Sequence, residues 1–100
     1  MKSEQAIEKY LCRRIKENGG MCIKLVGMNG IPDRLAILPN GKTWFIEMKT
    51  DGGVVDPIQL ALHMRLRRMG QNVAVLWNYE QVDKFINKIF AIKITEGITC

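Results

Sequence analysis

The chain is poor in the features that would place it outside ordinary globular domains. No stretch approaches about 18 consecutive apolar residues, so a membrane-spanning helix is excluded. Met1-Lys2-Ser3 leads straight into a polar helical segment, so no secretory leader is expected, and the protein reads as intracellular and cytoplasmic with no membrane partner. Cysteine is scarce and odd in number: Cys12, Cys22 and Cys100 form no CxxC pair, and His63 is the single imidazole. That composition argues against a disulfide framework and against structural zinc, leaving the thiols as buried or bystander groups. No low-complexity tract or internal repeat suggests disorder or a solenoid. Acidic residues are also in deficit, 10 against 15 Lys and Arg, for a net charge of +5. The excess favours a polyanionic partner, although composition alone does not separate nucleic acid from an anionic membrane surface. At 100 residues, the chain is expected to be one domain, 1–100, with one site.

What is present is a regular alternation of helix and strand signals. Ser3 is placed to cap a helix whose apolar residues Ile7, Tyr10, Leu11 and Ile15 follow helical spacing, and Gly19-Gly20 ends it. Met21 to Val26 reads as a short strand running into the turn segment Gly27-Met28-Asn29-Gly30. Arg34 to Leu38 and Lys42 to Thr50 read as an antiparallel pair joined by Pro39-Asn40-Gly41. Thr50-Asp51-Gly52-Gly53 is a loop. Asp56 then caps a helix with Pro57 at its first position, and Gly70 closes it. Asn72 to Trp77 reads as a buried strand, Tyr79 to Ile89 as an amphipathic helix, and the tail after Phe90 as a further strand. The order α-β-β-β-α-β-α predicts an α/β domain, a mixed sheet flanked by helices.

The chemistry follows from the hairpin. If Pro39-Asn40-Gly41 is a three-residue loop, Leu38 pairs with Lys42 and Asp33 falls opposite Glu47. Two carboxylates meeting across a strand pair repel unless something positive lies between them. A hard divalent cation answers that need, and Lys49 projects from the same face two residues on. Magnesium takes oxygen ligands and keeps several waters, so Asp33, Glu47 and a backbone carbonyl at Met48 would suffice. A loop of two residues at Asn40-Gly41 would instead turn Asp33 to the opposite face.

Gly30-Ile31-Pro32-Asp33 followed by Glu47-Met48-Lys49 resembles the motif of the PD-(D/E)xK nuclease superfamily. Within it, the leading Ile7-Glu8-Lys9-Tyr10-Leu11, Arg34 after the GxPD segment, Trp44 to Thr50, and Pro57-Ile58-Gln59 are similar to the VRR-NUC family in its stand-alone phage and bacterial form. The resemblance runs to about Trp77. It implies a restriction-endonuclease-like αβββαβ core and a DNA phosphodiesterase dependent on Mg2+, with Mn2+ as substitute. It further implies Asp33 and Glu47 as metal ligands, Lys49 as the catalytic lysine, and Glu8 as a helix-borne acid joining the metal directly or through water. Glu4 competes for that role from the same helix face. Gln59 matches the family's glutamine after the motif, while Asp56-Pro57-Ile58-Gln59 also has the spacing of a capping box. Stand-alone members imply a homodimer acting on branched DNA such as four-way (Holliday) junctions. The alternative is a non-catalytic nucleic-acid-binding domain that keeps the fold.

Arg34, Lys24, Arg65 and Arg68 are candidates for tracking a DNA backbone. His63 reads as a surface or phosphate-touching residue, and Trp44 and Trp77 as core.

Overall fold

The structure is a computed structural model that describes residues 3–99, with side chains described through residue 91. The elements are α1 (Glu4–Glu17), β1 (Met21–Lys24), β2 (Arg34–Ile37), β3 (Thr43–Met48), α2 (Pro57–Arg68), β4 (Val73–Leu76) and α3 (Tyr79–Thr99). The strands form one mixed sheet in the order β1-β2-β3-β4, antiparallel from β1 to β3 and parallel between β3 and β4, with α2 as the crossover. The expected α/β architecture is present.

Local chemistry accounts for most boundaries. The Ser3 side chain accepts a hydrogen bond from the Ala6 N–H, relieving one of the free donors at the start of α1. Asp56 and Gln59 form a reciprocal capping box at the start of α2. In the β2–β3 connection the Leu38 N–H donates to the Lys42 carbonyl and the Gly41 N–H to the Leu38 carbonyl. Gly41 takes a φ of +85°, which a residue with a Cβ rarely adopts.

The sheet has two unlike faces because alternate side chains point to opposite sides. On one face Trp44, Ile46 and Met48 of β3 meet Ile7, Leu11 and Ile15 of α1, and Val82, Phe85, Ile86 and Ile89 of α3. The Trp44 ring stands edge-on to Phe85 at 5.1 Å, as core packing of aromatics favours. On the other face a smaller cluster joins Phe45 of β3 and Val73 of β4 to Leu62 and Leu66 of α2. Glu47 belongs to this second face.

One expected element differs. The segment after Phe90 is not a strand, because α3 continues to Thr99. The buried residues Val82, Phe85, Ile86, Ile89 and Phe90 keep helical spacing across the expected end, and no Pro or Gly interrupts the chain before Gly97. The β-branched residues near Phe90 carry a strand propensity that this continuing helical face overrides.

Candidate active site

The register of the hairpin is the one expected for a three-residue loop. Arg34 pairs with Ile46 and Leu35 with Phe45, so the next position back on β2 sets Asp33 opposite Glu47. Asp33 lies just outside the ladder, and its Oδ2 accepts a hydrogen bond from the Met48 N–H at 2.8 Å. That bond fixes the Asp33 carboxylate against β3. The Met48 side chain meanwhile enters the larger core on the far face.

Glu47 is only 2% exposed. Its Oε2 accepts from the Gln59 amide at 3.2 Å and lies 3.7 Å from the Lys49 ammonium. Its Oε1 is buried without a hydrogen-bond partner, and 3.8 Å away stands His63 Nε2, equally buried and equally unpartnered. A buried polar atom left unpaired costs free energy, so two facing each other mark a space that a further polar group would satisfy. Burial, then the neighbouring Asp33 charge and hydrogen bonding to Asp33, push the Glu47 carboxyl up to about 8, with Lys49 opposing and Glu4 adding to the rise. Burial, followed by the Arg67 and Lys49 charges, pushes His63 below its ordinary range, so its imidazole is neutral near pH 7.

Gln59 forms the expected cap and also reaches Glu47 with the same side chain. Its Oε1 accepts from the Asp56 N–H at 3.2 Å while its Nε2 donates to Glu47. The cap therefore holds the amide in place, and the first turn of α2 presents it to the site.

Glu8 is placed elsewhere. Arg34 and Lys24 face α1 from the opposite side of the sheet, and Glu8 Oε2 lies 2.5 Å from Arg34 Nε and 3.7 Å from Lys24 Nζ. Arg34 pairs with Ile46, whose face α1 covers, whereas Glu47 alternates to the other face of β3. Of the two helix acids, Glu4 is the one whose charge acts on Glu47. Arg34 is occupied by Glu8 rather than open to a phosphate, whereas Arg65 and Arg68 are exposed on α2.

His63 is the residue that sequence reasoning placed on the surface and the structure places inside, 1% exposed. Its signal was positional. His63 follows Gln59 by four residues on α2, so a helix presenting Gln59 to Glu47 presents His63 to it as well.

Two carboxylates with a free buried oxygen and a fixed partner suit a hard, oxygen-preferring divalent ion that retains waters. Among the described residues no group of three or more His, Cys, Asp and Glu side chains is gathered to hold an ion. The carboxylates that this strand pair brings to one place are Asp33 and Glu47.

No family model matches the chain. The chain is 45% identical over 75 residues to a protein named "Putative nuclease p44" from Acyrthosiphon pisum secondary endosymbiont phage 1, covering 73% of this chain and 81% of that protein. A solved structure described as a VRR_NUC domain superposes with a TM-score of 0.80 at 42% identity, covering 84% of this chain and 94% of that one. Fold and site define a nuclease, a hydrolase of phosphodiester bonds. The chain belongs to the VRR-NUC family. Among the described residues no helix is long and apolar enough to cross a membrane.

Proposed function

We propose that the protein is a divalent-metal-dependent DNA endonuclease, acting as a homodimer on branched DNA such as four-way junctions. The observation that carries this reading is the Asp33–Glu47 pair, its glutamate buried, with Lys49 beside it and one Glu47 oxygen left without a hydrogen bond. Asp33, Glu47 and the Met48 carbonyl are the ligands we assign to Mg2+, with Mn2+ as substitute. A bound divalent ion supplies Lewis-acid polarisation of a phosphoryl oxygen and a more acidic water.

The chain's own residues do the rest. Lys49 is 15% exposed at its side chain and brings one positive charge toward a phosphate seated over the carboxylates, where its ammonium balances developing negative charge. Gln59 holds Glu47 from one side, leaving the carboxylate a single orientation toward Asp33. Neutral His63 closes the site from the α2 side and excludes bulk water from Glu47 Oε1. Arg65 and Arg68 lie on the exposed side of α2, where they add phosphate contacts along a duplex arm. Glu8 serves the site through Arg34, by anchoring α1 to β2, rather than as a ligand.

Two features support the homodimer. Met28, Ile58, Leu60 and Met64 are all about half exposed, between 48% and 53%, so the loop before β2 and the flank of α2 leave apolar surface in water. A two-fold pair would also bring two sites to a two-fold substrate such as a four-way junction.

The test is a cleavage comparison of a four-way junction, a flap and a linear duplex with Mg2+ or Mn2+, alongside the solution mass of the protein. Preferential cutting of the junction by a dimer is expected. Equal cutting of all three refutes junction specificity, a monomeric mass refutes the dimer, and no cutting under either metal favours a binding domain that keeps the nuclease fold.

A further inference from the structure

On the sheet face away from the carboxylates, α1 and β1 bring two thiols together. Cys12 sits in the middle of α1, and Cys22, paired with Ala36 across β1 and β2, points toward it. Their Sγ atoms are 2.7 Å apart, and both residues are half-buried, open enough for a small reagent to approach. That separation exceeds a sulfur–sulfur bond by only about 0.7 Å.

The surroundings favour a thiolate at this pair. Arg34 donates from Nη1 to the Cys22 carbonyl at 3.4 Å, and Lys24 lies on the same strand two residues on. Hydrogen bonding from Cys22, with the Arg34 and Lys24 charges behind it, lowers the Cys12 thiol against the opposing effects of burial and Glu8, whereas Cys22 is raised. A thiolate beside cations is the reactive form of cysteine. Two thiols in contact beside Arg34 and Lys24 allow one to attack and the other to resolve.

We propose that Cys12 and Cys22 form a reversible intramolecular disulfide site whose oxidant is a low-molecular-mass disulfide of the glutathione class. In the first step the Cys12 thiolate attacks one sulfur of the oxidant, forming a mixed disulfide and releasing one thiolate. Cys22 then loses its proton to solvent and attacks Cys12 Sγ, which displaces the second thiolate. Two protein thiols are oxidised and one external disulfide is reduced to two thiols, so atoms and electrons balance. In a reducing compartment the pair rests as thiols and records an oxidative change.

The bond would staple α1 to β1 around the turn at Gly19-Gly20. It would pin the helix bearing Glu8 to the edge strand bearing Lys24, beside the ion cluster with Arg34. The proposal does not depend on the nuclease reading.

The test uses the full chain with Cys100→Ser, since Cys100 lies outside the described residues and would offer a competing thiol. The reduced protein is equilibrated in buffers of reduced and oxidised glutathione and read by intact mass, peptide mapping and thermal melting. The expected result is a loss of two hydrogens and joined peptides containing Cys12 and Cys22. Full reversal by dithiothreitol and a melting temperature raised by at least about 5 °C should accompany it. Adding Cys22→Ser should trap glutathione on Cys12. Thiols that both remain alkylatable in excess oxidised glutathione, or that each accept glutathione without joining, overturn the proposal. An unchanged melting temperature in the joined form overturns the pinning of α1.

Discussion

Replacing Glu47 with glutamine should stabilise the ion-free protein at alkaline pH and leave it nearly unchanged in acid. The side chain is buried beside Asp33, and its carboxyl is pushed from 4.5 up to about 8. A folded-state pKa raised above the unfolded one means that the native protein prefers the protonated form. The stability this contributes is fully present below about 4.5 and declines as pH rises toward 8, above which the loss levels off. At about 1.36 kcal/mol per pH unit, that interval corresponds to roughly 3 to 5 kcal/mol. Typical domain stability is only about 5 to 15 kcal/mol, so the effect should be plain. Glutamine keeps the shape and carries no charge, which removes the cost.

Urea unfolding of the parent and Glu47→Gln, each with chelator present, measures this from pH 4.5 to 9. The advantage of the variant should grow steadily across the lower part of that range and flatten near the top. Added Mg2+ at about 100 times its dissociation constant should then raise the parent's stability by about 2.7 kcal/mol and leave the variant unmoved. A stability difference that stays constant with pH would refute the reasoning, because it would mean that Glu47 ionises in the folded protein without penalty.

Three further outcomes follow from the same geometry. Asp33→Asn and Lys49→Met should each lower cleavage by about 100-fold or more with the fold retained, as circular dichroism and a single-turnover assay would show, and EDTA should abolish cleavage by the parent. Glu8→Gln should cost stability by breaking the pair with Arg34, about 1 to 3 kcal/mol, while Mn2+ affinity measured by calorimetry stays at the parent value. A lost Mn2+ affinity there would return Glu8 to the metal site. Gln59→Ala should remove its half of the capping box, the bond to the Asp56 N–H, together with the Glu47 contact, destabilising α2 by up to about 1 kcal/mol and lowering cleavage. Gln59→Glu should keep the cap but lower cleavage further by setting a second negative charge against Glu47, and equal activity in the two variants would show that the amide has no role at the site.

The parts of this fold that were legible in the sequence are those written in local signals. Ser3, Asp56-Pro57 and the Pro39-Asn40-Gly41 turn each act through neighbours within a few residues, and the turn alone carried the register that sets Asp33 against Glu47. What was not legible depends on which face meets which helix. Glu8 and Asp33 look like companions along the chain, yet α1 packs on the Ile46 face while Asp33 shares the α2 face with Glu47. The burial of His63 is hidden for the same reason, since a helix rich in arginine reads as solvated until its contact with β3 is known. Cys12 and Cys22 look like separate thiols because their meeting requires the whole turn between α1 and β1. Beyond Phe90, β-branched residues support a strand as well as a helix by local propensity, and the helix set by the apolar face from Val82 to Phe90 runs on without a Pro or Gly to stop it before Gly97.

The central strand explains why stability and chemistry are separable in so small a domain. Along β3, Trp44, Ile46 and Met48 enter the larger core between α1 and α3, while Phe45 and Glu47 turn to α2. From Trp44 to Met48, β3 therefore alternates between the larger core and the α2 face that carries Glu47. A substitution at Ile46 should act through packing, and one at Glu47 through charge. The junction between the two parts is the Met48 N–H, which belongs to a core residue and yet holds the Asp33 carboxylate at 2.8 Å. Displacing Met48 by repacking the far face would move that donor, so the position of Asp33 is set from the side of the sheet opposite the carboxylates.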